Sequence, residues 1–109
     1  HVPNPFGKLG SPPHRNMVDE VANDMAGRVD EVAREVKFDT PNGTKSSRFA
    51  DVVGYKNGKI AEIAQIGKMN KNGTPPAREV RAAKDIAGSP SAVGISVDFY
   101  AYNKFGGPR

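Results

Sequence analysis

Two carboxylates, Asp51 and Glu62, stand on either side of an Asn57-Gly58 pair in the stretch RFADVVGYKNGKIAEIAQIGK, residues 48–68. Asn-Gly between apolar runs signals a β-hairpin, because a type I′ turn needs positive φ at both central positions. Strands at about 48–55 and 60–67 follow. With a two-residue loop, Lys56 pairs with Lys59, Asp51 falls opposite Ala64 and Glu62 opposite Val53. Alternation then puts Phe49, Asp51, Val53, Ile60, Glu62 and Ala64 on one face. Ionised carboxylates are costly among apolar residues unless a cation binds them. The spacing therefore predicts a divalent site. Mg²⁺ or Mn²⁺ held by two carboxylates keeps several waters, can touch a phosphate and can activate a water for phosphodiester hydrolysis. The alternative is that both acids are surface positions of a half-exposed sheet, salt-bridged to Lys or Arg.

The elements that must hold this hairpin can be read on both sides of it. Residues 1–10 read as an extended lead-in. Ser11-Pro12 is a cap-then-proline start, and Met17, Val18, Val21, Ala22 and Met25 recur at helical spacing up to Gly27, predicting a helix at about 12–26. Val29, Val32 and Val36 fit a helix face, whereas Val32, Arg34, Val36 and Phe38 alternate as in a strand. The Gly27-Arg28 break and the Thr40-Pro41-Asn42-Gly43 turn favour a strand at 31–38. Thr74-Pro75 starts a second helix at about 75–87, stopped by Gly88-Ser89-Pro90. Val93, Ile95, Val97, Phe99 and Ala101 alternate as a strand over 92–101, and 103–109 reads as a flexible tail. The order αβββαβ predicts one domain over 1–109 of α/β (α+β) class: a small mixed sheet with a three-strand meander, flanked by helices.

Composition narrows the partners. A net charge of +4 with a pI near 9.5 suits a polyanion such as nucleic acid, although small basic domains often carry only a solvated surface. With no cysteine, disulfides and thiolate metal sites are excluded. No apolar run approaches a membrane span and no signal peptide is visible. The sequence opens without Met and reads as a fragment of something longer, His1 being a tag remnant.

Further polar groups extend the candidate site. Arg78, beside Glu79 at the start of the second helix, is placed to meet phosphate where the helix dipole favours anions; both are otherwise exposed first-turn charges. The basic loop 68–73, with Lys71, would guide a nucleic-acid backbone. His14 is either a general base or a surface residue. No phosphate-binding glycine motif and no aromatic stacking platform stands out.

The phrases FGKLGSPPHR, RFADVVG, EIAQIGK and PPAREVRAAKDI, together with the element order, resemble the PD-(D/E)XK restriction-endonuclease-like superfamily. More narrowly, they resemble the nuclease toxin domains at the C-termini of bacterial polymorphic and contact-dependent toxins. The superfamily carries an Asp in its second strand and Glu-x-Lys in its third, which the resemblance assigns to Asp51 and Glu62. It also implies an upstream carboxylate completing the metal site, for which Glu35 is the candidate and Glu20 a weaker one; otherwise Glu35 only pairs with Arg34 or Lys37. The chain departs from the pattern at Ala64, where the lysine belongs. Either a bulge at about 63–66 turns Gln65 towards the carboxylates, or Lys68 reaches back from the strand end. The resemblance implies a Mg²⁺-dependent endonuclease, with DNA placed ahead of RNA, acting in a target-cell cytoplasm after secretion or delivery. It also implies a cognate immunity protein. The rival readings are an RNA- or tRNA-cleaving toxin on the same fold, a metal-independent RNase working through His14, and a non-catalytic nucleic-acid-binding module.

Because the basic balance comes with no base-reading motif, nucleic-acid affinity is expected to fall steeply with salt and to vary little with sequence. Fluorescence-anisotropy titrations over a salt series check this, and a flat dependence points to a different kind of partner.

Overall fold

The hairpin closes as its turn residues require. Asn57 (φ 53°) and Gly58 (φ 77°) both take positive φ, joining β2 (Ser47–Lys56) to β3 (Lys59–Gly67). The computed structural model describes residues 12–102; the lead-in 1–10, the Ser11 cap and the tail 103–109 lie outside the described residues. Around the hairpin stand α1 (Pro12–Ala26), β1 (Glu31–Asp39), α2 (Ala77–Ala87) and β4 (Val97–Ala101). The sheet order is β1-β2-β3-β4. The first three strands form an antiparallel meander, and α2 carries the chain across to β4, which lies parallel to β3. This is the mixed α/β fold, in the order αβββαβ, that the periodicities predict.

Each helix covers one face. Met17, Val18, Val21, Ala22 and Met25 of α1 pack on Val52, Ala64 and Ile66. On the other face Ile86 of α2 packs with Phe38, Ala50, Val53, Ile63 and Ala92. Gly54 permits the close approach of α1, since a Cβ there would lie 2.7 Å from the Met25 sulfur.

Three expectations need correction. The β2–β3 register slips by one residue between Gly54 and Tyr55, so Gly54 pairs with Glu62 and Val52 with Ala64. Ala61 is the extra residue of a β-bulge, which lies nearer the turn than the 63–66 region expected for it. Helix α2 begins at Ala77 rather than residue 75, with Pro76 as its N-cap. Pro76 takes an extended conformation (φ −59°, ψ 150°) and so stands outside the helix. Finally, β4 loses its first half to a 3-10 turn at Pro90–Ala92 and a left-handed Gly94 (φ 81°), leaving Val97–Ala101.

The turn 40–46 is tied to α2 by one carboxylate. Asp85 accepts from the Thr44 backbone N–H (3.1 Å) and hydroxyl (2.8 Å) and from Arg48 Nε (2.8 Å). Gly43 lets the loop close over it, a Cβ there falling 2.5 Å from the carboxylate carbon. Burial works to raise the Asp85 pKa, but the hydrogen bonds from Thr44 and Arg48 prevail and hold it at about 2. A depressed carboxyl stabilises the fold above its unfolded value near pH 4, and that stability is lost as pH falls towards 2. Asp85→Asn should lower the Tm by several degrees at pH 7 and close the gap to the parent protein below pH 3. A thermal-melt series over pH checks both.

Candidate active site

Past the Val52–Ala64 pair, β2 and β3 stop pairing with each other, and side chains take over the backbone's hydrogen bonds. The Asp51 N–H donates to Gln65 Oε1 at 2.8 Å, and the Ile66 N–H donates to Asp51 Oδ2 at 2.7 Å. A fork thus opens in the middle of the sheet, with the Asp51 carboxylate set into it. The bulge at Ala61 is what brings Gln65 rather than Ala64 to this level.

Groups from every side converge on the fork. From α1, His14 lies with Nε2 3.2 Å from the Ile66 carbonyl oxygen and 3.9 Å from Asp51 Oδ2. Its ring meets Tyr102 edge-on, with centroids 5.9 Å apart. The Ile66 carbonyl only accepts, so a neutral ring keeps its proton on Nε2. Nδ1, buried and without a partner among the described residues, then holds a free lone pair. From β1, Glu35 lies across from Asp51, between the Arg34–Val52 and Val36–Ala50 pairs. Its φ of 53° is left-handed, a conformation that costs about 1–3 kcal/mol for a residue with a side chain. A cavity of about 230 Å³ is lined by His14, Arg15, Val18, Asp19, Arg34, Glu35 and Asp51. From α2, Glu79 reaches the end of β3, and Gly67 makes room for it: a Cβ at 67 would lie 3.0 Å from Glu79 Oε2.

The electrostatics follow from this crowding. Burial pushes the Asp51 carboxyl up to about 6; the Ile66 N–H and His14 oppose that rise, while the charges of Glu35 and Glu79 add to it. Burial also raises Glu79, against the pull of Arg78, His14 and Arg48. A second, basic cavity of about 760 Å³, lined by Lys68, Met69, Asn70, Lys71, Gly73, Pro76 and Arg78, opens on the loop beyond β3.

The expected residues therefore separate. Glu62 does not share a site with Asp51. Its partner Gly54 is three residues along β2 from Asp51, about 10 Å of strand, and Glu62 takes a two-pronged ion pair from Arg28 Nε (3.0 Å) and Nη2 (2.9 Å). The hydrogen-bonded Arg28 lowers the Glu62 pKa. Gln65 meets Asp51 as expected, but through the Asp51 backbone N–H rather than its carboxylate. Lys68, Lys71 and Arg78 group in the basic cavity. Glu35 stands at Asp51, and Glu20 is exposed on α1. Glu79, read as an exposed first-turn charge, is the site residue that the sequence reading missed. The only signal for it is a glycine at the strand end that it packs on.

Hard oxygen donors at Asp51, Glu35 and Glu79 suit Mg²⁺ or Mn²⁺, which take one or two carboxylates and keep water or phosphate in their other positions. Among the described residues no three His, Asp or Glu side chains form a ready-made cage. No protein-family model, curated protein or solved structure matches the chain.

A raised carboxyl contributes stability below its unfolded pKa near 4, and that contribution is lost as pH rises through about 6. Between pH 4 and 7 the parent protein should lose up to about 3 kcal/mol that Asp51→Asn retains. Urea denaturation of both proteins across that range tests this, and parallel curves would contradict it.

Proposed function

We propose that this chain is a metal-dependent endonuclease that hydrolyses phosphodiester bonds, with DNA placed ahead of RNA. The observation that carries this reading is the half-buried Asp51 carboxylate in the β2–β3 fork, with the charges of Glu35 and Glu79 acting on it. Carboxylates gathered around one half-buried carboxyl bind a divalent cation favourably, because the cation removes their repulsion. Asp51 with Glu79 or Glu35 would hold Mg²⁺ or Mn²⁺, and the ion would supply Lewis acidity and an activated water. Gln65 and the Ile66 N–H hold Asp51 in place. Lys68, Lys71 and Arg78 carry the backbone phosphates beside it, where α2 also presents its N-terminus.

The resemblance to polymorphic-toxin nuclease domains supports the wider setting. In that setting the domain is delivered from a producing bacterium, acts in the target-cell cytoplasm and is held in check by an immunity protein. A second reading rests on His14. Its free Nδ1 lone pair and its place over Asp51 suit acid–base cleavage of RNA without a metal.

Incubation with plasmid DNA and with tRNA, each with Mg²⁺ or with chelator, separates the readings. Cleavage should require the metal, and Asp51→Asn should reduce it by at least about a hundredfold, the scale of losing an essential electrostatic group. Glu79→Gln and Glu35→Gln should each weaken the metal dependence. Glu62→Gln should leave cleavage within about threefold of the parent, since Glu62 serves Arg28. Cleavage of tRNA that survives chelation and fails in His14→Ala supports the second reading instead.

A further inference from the structure

Phe49 is a large apolar side chain left in water. It is 53% exposed, whereas the other large apolar side chains of the sheet are buried or half-buried. Its neighbour Ala50 packs on the α2 side, and Arg48 reaches Asp85 of α2. By alternation Phe49 stands on the opposite face, the one that Asp51 shares with His14. Two residues of strand separate Phe49 from Asp51, about 7 Å.

The surroundings of this ring are cationic. Its cross-strand partner on β1 is Lys37, which is exposed. Past the fork, β3 ends at Gly67. There the loop bearing Lys68 and Lys71 begins, with its basic cavity. An open aromatic face thus lies two strand residues from Asp51, with an exposed lysine across from it on β1 and a basic loop leaving the far side of the same fork. A nucleobase presents a flat π-face on a phosphate backbone, and that is the ligand this juxtaposition fits.

We infer that Phe49 is a stacking platform for a nucleobase next to the bond cleaved, so that the enzyme takes single-stranded or unpaired nucleotides. This deepens the nuclease reading and rests on it. Bases inside a duplex are stacked on both faces, and only a base in a single strand, loop or end has a face free for Phe49. Lys37 and Lys68 then meet the phosphates on either side of that base, and the fork holds the scissile one.

The chain has no tryptophan, so Phe49→Trp installs a single reporter at the platform. With chelator present, its emission is read against a twelve-residue oligo(dT), the same length of duplex, and inorganic polyphosphate as a charge-only probe. The single strand should quench it saturably, while duplex and polyphosphate should not. Phe49→Ala should bind the single strand about tenfold more weakly, the scale of one lost base–aromatic stack, with duplex binding unchanged. If the parent protein cleaves nucleic acid while the Phe49→Trp emission ignores the single strand, or Phe49→Ala binds it as tightly as the parent, the platform is overturned and the nuclease reading stands. If the parent neither binds nor cleaves any nucleic acid, both fall together.

Discussion

The backbone hydrogen bonds that β2 and β3 do not make with each other decide this structure. A buried N–H must find an acceptor, and at the fork two of them are satisfied by side chains, Asp51 N–H by Gln65 and Ile66 N–H by Asp51. That exchange keeps the strands apart without leaving orphaned polar groups. The carboxylate becomes part of the sheet's hydrogen-bond scheme, so Asp51 is fixed in place by the fold rather than by a flexible loop. It also lets groups from opposite faces meet. His14 approaches from the α1 side and Glu79 from the α2 side, and a continuous ladder would separate them.

The charges at the fork show what this arrangement costs. Asp51 is ionised only above a pH of about 6, Glu79 is raised by its own burial, and Glu35 occupies a left-handed backbone position within a strand. A chain selected for stability alone would bury apolar groups here. The opposite case sits at the far end of the same hairpin, where Glu62 is matched by Arg28 in a planar pair. Asp85 is likewise matched, by Thr44 and Arg48. Mismatched acids at one place, set against matched acids elsewhere, are the physical ground for reading the fork as the functional centre.

Much of the fold was legible because its signals are local. Asn57-Gly58 fixes the turn, the spacing of Met17 to Met25 fixes the face of α1, and Val97, Phe99 and Ala101 mark the last strand. The site was less legible. Hairpin register counted from the turn assumes one residue opposite one, and a single bulge at Ala61 exchanges the faces of everything beyond it. Asp51 and Glu62 were therefore paired on paper and parted in the structure, while Gln65 arrived at Asp51 by a different route from the one expected. Nothing local marks Ala61 as a bulge, and the slip shows only in how the two strands pair. Glu79 was missed for a similar reason. Its partner across space, Gly67, is a small residue whose meaning depends on which helix lies over it.

His14, in the first helix, and Tyr102, after the last strand, touch ring to ring at the fork. Tyr102 also donates its backbone N–H to the Gly67 carbonyl at 3.0 Å. The wall around Asp51 is therefore built from the two sequence-distant ends of the described fold. A chain emerging from a ribosome, or threading through a narrow passage, completes that wall only when β4 has docked beside β3, a non-local parallel pairing that is slow to form. Until then Asp51 has its hairpin but not its enclosure. The order of assembly thus delays the finished site until nearly all of the described chain is free to fold.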